Sequence, residues 1–128
     1  MVEAVEVKKL KPVAEMHKDE FFGGLRADMD MSREERGQAE HHIRLADSAL
    51  RSGDIQARDR ELVVIKRHYA RILDIETHAL ELRAVIEKSD LHDSYKRSAN
   101  EYAKQVSADR TQILAEINRL KAGQATPR

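Results

Sequence analysis

The sequence predicts an all-α protein: a long antiparallel helical hairpin with a shorter third helix and an N-terminal segment, packed as a three- to four-helix bundle or in a coiled-coil-like manner. Apolar residues recur in steps of three and four along two stretches of the chain, which keeps them on one face of a helix. Charged residues make up 36% of the 128 residues and aromatic residues only 4%, a balance typical of extended helices rather than of compact cores with deep pockets. Neither proline nor glycine interrupts residues 54–122.

The hairpin is the longest predicted element. Its first helix is expected to begin after the N-cap Asp54 and to end near Ser89, and its inner stripe consists of Ile65, Ile72, Ile75, Ala79, Leu82 and Ile86. Its second helix is expected to begin at the N-cap Asp90, and it carries the stripe Tyr95, Ala99, Tyr102, Val106, Ile113 and Leu120. Each helix would be about 50 Å long at a rise of about 1.5 Å per residue.

The third helix precedes the hairpin, and its start is open to two interpretations. Ser32 and Glu35 have the spacing of a capping box, which predicts a helix over about residues 33–52 with Gly53 in the left-handed closing position. The inner stripe of this helix is Ala39, Ile43, Ala46 and Leu50. The same rhythm extends back to Phe22, so a single longer helix that passes through Ser32 is the alternative.

The two ends of the chain are expected to be less regular than its middle. We predict an N-terminal arm over residues 1–12, a single helical domain over residues 13–122 and a flexible tail over residues 123–128. Glycine in a helix interior costs about 1 kcal/mol relative to alanine. The adjacent Gly23 and Gly24 therefore predict a broken helix ahead of the third helix.

Composition and charge narrow the classes of partner. The chain holds 23 basic and 23 acidic residues, so its formal net charge is zero and no overall field draws it to nucleic acid or to anionic lipid. The densest basic stretch consists of Arg58, Arg60, Lys66, Arg67 and Arg71. Acidic residues are interleaved with it, and few aromatic side chains are present that could stack on bases. We therefore expect neither nucleic-acid binding nor membrane association.

Cysteine usage and the start of the sequence bear on location. The absence of cysteine removes disulfides, a thiolate nucleophile and cysteine-based zinc sites. The N-terminal residues lack a continuous apolar run of signal-peptide length. These observations lead us to expect a cytoplasmic protein.

The spacing of the histidine and acidic residues gives little support for a metal site or a catalytic site. The chain has six histidines, but only Asp74, His78 and Glu81 stand at helical offsets compatible with shared metal ligation. Residues at such offsets more often form an ordinary side-chain contact on a helix surface. No triad of nucleophile, histidine and acid, no glycine-rich phosphate loop and no paired-carboxylate cleft is recognisable. We expect no cofactor, no metal and no enzymatic activity.

One histidine stands at the predicted helix interface. His68 occupies the gap in the first stripe between Ile65 and Ile72. We expect a buried neutral imidazole with one hydrogen bond, a functional proton acceptor being the alternative. If His68 is interfacial, charging it at about pH 6 is expected to weaken packing, because a cation would enter an apolar interface.

The expected function is a non-enzymatic interaction or assembly role, as an adaptor, a chaperone or a structural subunit. A hairpin about 50 Å long cannot be covered by a third helix of about 20 residues. A protein partner, or self-association into a homo-oligomer, is expected to cover the remaining apolar face. Candidate partner-binding residues are Phe21, Phe22, Leu25, Ile65, Ile72, Leu82, Tyr95 and Tyr102. The two phenylalanines either cover the end of the bundle or anchor a partner.

Two other functions are kept as alternatives because they belong to different classes. One is a helical bundle that binds a ligand or a metal in its core. The other is a nucleic-acid-associated regulator that uses the basic stretch.

Overall fold

The computed structural model describes residues 10–126, and long helices form most of it. Helix α1 spans Phe21–Arg51, α2 spans Ile55–Glu87 and α3 spans Asp93–Lys121, and the short 3₁₀ turns Val13–Glu15 and Lys18–Glu20 precede them. Side-chain contacts show that α1 and α2 run antiparallel, whereas α1 and α3 run parallel. The predicted all-α bundle is thus confirmed.

Helix α1 is continuous where the capping box predicted a start. Ser32 is completely buried, and its hydroxyl donates a hydrogen bond to Oδ2 of Asp109 at 2.6 Å. The hydroxyl therefore joins α1 to α3 instead of capping a helix. The predicted start at residue 33 is wrong, and the alternative of a single longer helix is confirmed.

The predicted break at the two glycines is also wrong, and close packing explains one of them. A Cβ atom at Gly24 would lie 2.7 Å from Cε of Met16 and 3.4 Å from Cδ1 of Leu82. The N-terminal segment approaches α1 closely at this point because Gly24 has no side chain. Tertiary contact here outweighs the weak helix propensity of glycine.

The three helices are nearly equal in length, at 31, 33 and 29 residues. The sequence-based expectation of a third helix of about 20 residues, too short to cover the hairpin, is therefore wrong. Because α1 extends along the whole of α2, the inner face of α2 is covered within the chain itself. Any surface for a partner must lie elsewhere.

The two connections follow from local hydrogen bonding. Gly53 takes a positive φ of 73°, and the side chain of Asp54 accepts a hydrogen bond from the Ala57 amide at 3.0 Å. The Asp54 cap is confirmed. The cap predicted at Asp90 is wrong, because His92 caps α3 by accepting from the Ser94 amide through Nδ1.

The core consists of two apolar clusters along the bundle axis. All six residues of the predicted α2 stripe are buried, which confirms it. The α3 stripe is confirmed only in part, since Tyr95 is 45% exposed and Tyr102 is half-buried. Ala103 and Ile117 complete the buried face of α3 instead.

Both ends of the described chain lie against the bundle. Leu10 packs on the core cluster near the N-terminus of α1, while residues 1–9 of the predicted arm lie outside the described residues. Within the predicted tail, the amide and the hydroxyl of Thr126 both donate to the carboxylate of Asp47. Among the helices of residues 10–126, none combines the length and the apolar character needed to cross a membrane.

Candidate interaction surface

Helix α2 is apolar on two opposite faces, and only one of them is in the core. The second face, the outer stripe, has the heptad spacing of a coiled-coil contact and consists of Val63, Ala70, Leu73, Thr77, Leu80 and Ala84. Lys66 occupies the heptad position between Val63 and Ala70. Its three large apolar residues are exposed: Val63 by 51%, Leu73 by 41% and Leu80 by 36%. Three large apolar side chains in line on one solvent-facing helix face form a candidate interaction surface.

Charged residues border the outer stripe in an ordered series. Arg60, Arg67, Asp74 and Glu81 follow one another at intervals of seven residues along one flank, and all four are exposed. Within the described part of the chain, none of them forms a salt bridge with another residue. The flank therefore presents two positive charges followed by two negative charges to solvent.

Four of the predicted partner-binding residues are inaccessible. Leu25, Ile65, Ile72 and Leu82 are each fully buried in the core of the chain itself. Their prediction as contact residues is wrong for this fold, because the three helices of the chain pack together around these side chains.

The aromatic candidates gather at one end of the bundle. The ring of Phe22 stands 5.0 Å from that of Tyr95 in an edge-to-face arrangement and 5.5 Å from that of Tyr102, a geometry that aromatic pairs favour. Phe21 packs on the adjacent core cluster. The structure thus brings these side chains together as a cover over the bundle end, with Tyr95 as its most exposed member.

Polar contacts cross the α1–α2 interface at regular intervals along the helices. Three carboxylate–imidazole contacts join the helices: Asp28 with His78 at 2.6 Å, Glu35 with His68 at 2.5 Å and His42 with Glu61 at 2.6 Å. The α1 members are spaced by seven residues, the interval at which side chains return to the same helix face. These contacts align α1 with α2, because a slip of one residue would separate every pair.

His68 lies where the sequence placed it. It is 7% exposed, and its Nδ1 contacts Oε2 of Glu35, which is also 3.6 Å from Nη1 of Arg71. Interfacial burial is confirmed. The carboxylate partner was not foreseen, and it gives a protonated imidazole a counter-charge inside the interface.

The three weak metal candidates do not converge. His78 points into the bundle, with Nδ1 on Asp28 and Nε2 2.6 Å from the carbonyl oxygen of Lys11. Asp74 and Glu81 face solvent on the flank of the outer stripe. Across residues 10–126, no three histidine or acidic side chains are grouped so that they could hold a metal ion.

Two further polar clusters join α1 to α3. Asp109 is almost fully buried and accepts hydrogen bonds from Ser32 and from Nη1 of Arg36, both at 2.6 Å. Asp47 is held by Arg119 at 2.7 Å. Burial alone would raise the pKa of Asp47, but the hydrogen bonds from Arg119 and Thr126 keep this pKa below its usual value. Each buried carboxylate is thus paired, as its desolvation requires.

A cleft of about 390 Å³ separates the N-terminal segment from α1. Its lining combines apolar side chains such as Met16 and Met31 with the carboxylates of Asp30 and Glu34, and it also includes Lys11. The buried Asp28 and His78 line it as well and contact each other. A small ligand with a positive charge and an apolar part would match these walls.

Comparison of the chain with models of protein families, with curated proteins and with solved structures gives no significant match.

Several of these residues were not predicted from the sequence. The outer stripe repeats every seven residues from Val63, but these positions lie between those of the more apolar inner stripe, which took precedence. Asp28 and Asp109 are polar residues at core positions, since they stand between Leu25 and Ser32 and between Val106 and Ile113. A polar residue within an apolar stripe is the sequence pattern that could have indicated a buried polar contact.

Proposed function

We propose that the protein has a non-enzymatic interaction or assembly role and that it binds its partner through the outer stripe of α2. The observation that carries this proposal is the row of exposed Val63, Leu73 and Leu80 on a helix whose opposite face is already filled by the core. A solvent-exposed stripe with heptad spacing is the usual surface for a second helix.

The distribution of polar groups supports an interaction role over a catalytic one. The buried carboxylates and imidazoles pair with each other across helix interfaces, where they align the helices. Groups committed to such pairs are not available to a substrate. An adaptor, a chaperone or a structural subunit, acting in the cytoplasm as the absence of cysteine favours, fits this arrangement.

Photo-crosslinking tests the surface whether the partner is the chain itself or another protein. A photoreactive residue is placed at Leu73 or, as a matched control, at Leu45, which lies on α1 and is also 41% exposed. We expect covalent adducts in cells of the native host from position 73 and few from position 45. The substitution Leu80→Glu should abolish the adducts. Equal labelling at both positions, or none at position 73, would contradict the proposal.

Small-molecule binding is a second candidate, and the cleft beside α1 favours it. Its volume of about 390 Å³ lies within the usual range for ligand sites, and Asp30 and Glu34 would attract an organic cation. Screening small ammonium compounds by thermal shift tests this function. Stabilisation that is lost in Glu34→Gln would support it, and an unchanged melting temperature with every compound would exclude it for this ligand class.

A further inference from the structure

The outer stripe of α2 and the charges beside it are complementary to the same stripe on a second copy of the chain. We propose that the protein forms an antiparallel homodimer in which the outer stripes of two α2 helices pack together. This inference rests on the proposed function, and it names the partner as a second copy of the chain.

The order of charges along the flank is the first argument. Arg60 and Arg67 precede Asp74 and Glu81 at intervals of seven residues. When two such helices run antiparallel, Arg67 of one copy faces Asp74 of the other, and Arg60 faces Glu81. Symmetry repeats both contacts, so four oppositely charged pairs form along the flanks.

A parallel arrangement is disfavoured by the same residues. Residues on opposite flanks then face each other between the two copies. This brings Arg83 next to Lys88, the residue that follows α2, and it brings Glu76, which also pairs with Arg110, next to Glu81. Like charges at such positions repel each other. The sequence of the flanks thus distinguishes the two orientations.

The apolar residues match in the same antiparallel register. Leu73 of one copy packs against Ala70 of the other, and Leu80 packs against Val63. Each large exposed residue of the stripe meets an apolar partner, and small residues alternate with large ones as close packing requires. Lys66 faces Thr77, where the aliphatic part of the lysine side chain can lie along the interface while its ammonium group stays in water.

A contact of this size indicates a weak, reversible dimer. One helix face from each copy contributes few large apolar side chains, so the buried area stays below that of standard stable interfaces. The zero formal net charge of the chain leaves little overall repulsion between copies. We expect a dissociation constant on the order of micromolar.

Sedimentation of the full chain over a range of concentrations tests the dimer. The mass is expected to rise from monomer to dimer between about 1 and about 200 μM. Leu73→Glu should remain monomeric, whereas the control Leu45→Glu should behave as the original chain. A monomeric mass throughout this range would overturn the inference.

Charge exchange tests the register. Arg67→Asp and Asp74→Arg each turn two attractive contacts into repulsive ones and should weaken the dimer about tenfold. The double variant should restore the original affinity. A mixture of the two single variants should also associate, because all four charges are then complementary in the heterodimer. Single variants that dimerise normally, or a mixture that stays monomeric, would overturn the register.

Crosslinking tests the orientation, and the absence of native cysteine makes single-cysteine variants simple to interpret. In the proposed register, position 70 and its copy lie about 5 Å apart along the axis, whereas position 84 and its copy lie about 37 Å apart. A short bismaleimide should therefore join Ala70→Cys but not Ala84→Cys. Efficient joining at both positions would indicate a parallel dimer and overturn the inference.

The failures of the two proposals are distinguishable. Photo-adducts at position 73 that contain only a different protein, together with a monomeric mass, would overturn the homodimer and leave the proposed function standing. Absence of any adduct at position 73, with a monomeric mass, would remove both.

Discussion

The Nδ1 atom of His78 lies 2.6 Å from Oδ2 of Asp28, while its Nε2 atom lies 2.6 Å from the carbonyl oxygen of Lys11. A carbonyl can only accept, so Nε2 donates its proton to Lys11. A further proton must then lie in the contact between Nδ1 and the carboxyl group of Asp28. This proton joins Asp28 of α1 to His78 of α2, and the Nε2 proton joins α2 to the N-terminal segment.

This contact predicts a loss of stability as the pH rises through about 6. Burial raises the pKa of Asp28 from 3.8 to about 6, although the hydrogen bond and the charge of His78 oppose this rise. Between these pH values the folded state holds a proton that the unfolded state releases. The contribution of Asp28 is therefore complete below its unfolded pKa, and on the order of 2 kcal/mol is lost above its folded pKa.

Asp28→Asn is the matched test of that pH dependence. Its amide can donate to Nδ1 of His78 as the protonated carboxyl group does, but it cannot ionise. Chemical denaturation from about pH 4 to about pH 8 should show a fall in unfolding free energy for the original chain that the variant lacks. Parallel pH profiles for the two proteins would show that Asp28 does not carry the effect.

Ser32→Ala is expected to destabilise the bundle by about 1–3 kcal/mol, because the buried Oδ2 of Asp109 loses its hydrogen-bond donor. Helix content by circular dichroism should stay unchanged, since Ser32 joins two helices and does not begin one. Ser48→Ala, at an exposed position of the same helix, serves as the control and should change stability by less than about 0.5 kcal/mol. A loss of helix content in Ser32→Ala would instead favour the capping role.

Alanine substitutions at three glycines of α1 distinguish the effect of helix propensity on stability from the effect of packing. Nothing lies within 4 Å of a Cβ atom placed at Gly23 or Gly37, so Gly23→Ala and Gly37→Ala should each stabilise the protein by about 0.5–1 kcal/mol. At Gly24 the new methyl group displaces the end of the Met16 side chain, which should offset this gain. Thermal unfolding compares the three variants, and equal stabilisation by all of them would contradict the close packing of the N-terminal segment.

The fold was predictable where apolar periodicity is regular, and the departures have physical causes. The stripe from Ile65 to Ile86 identified the buried face of α2. The start of α1 was not predictable from local signals, because Ser32 binds Asp109, a residue 77 positions away in the chain. The expected weakening of the interface on charging His68 stays a prediction. Its premise of an apolar surrounding is altered by Glu35, which the sequence did not identify as a partner.

The candidate site was harder to predict than the fold, because α2 carries the outer stripe together with a more apolar inner stripe. Helix α2 has apolar residues on both faces, and the positions of Val63, Leu73 and Leu80 lie between those of its more apolar inner stripe. The face expected to be uncovered was the inner one, and the three helices cover it within the chain. The outer stripe lies on the opposite side of α2.

Asp47 leads to a prediction for acidic pH. Its contribution to stability changes with pH in the opposite direction from the contribution of Asp28. Hydrogen bonds from Arg119 and Thr126 more than offset the effect of burial and lower the pKa of Asp47. Its contribution is therefore present above its unfolded pKa and is lost as the pH falls through the lower, folded pKa.

Asp47→Asn should destabilise the protein at about pH 7 by about 1–3 kcal/mol, because the charge-assisted hydrogen bonds with Arg119 are lost. The difference from the original chain should be smaller at about pH 2 than at about pH 7, because the contribution of the Asp47 charge is lost as the pH falls. Asp59→Asn is the control, since the side chain of Asp59 is 60% exposed although it also pairs with an arginine. Denaturant unfolding at both pH values measures these differences. An equal loss for Asp47→Asn at both pH values would show that the change of shape, and not the charge of Asp47, destabilises the variant.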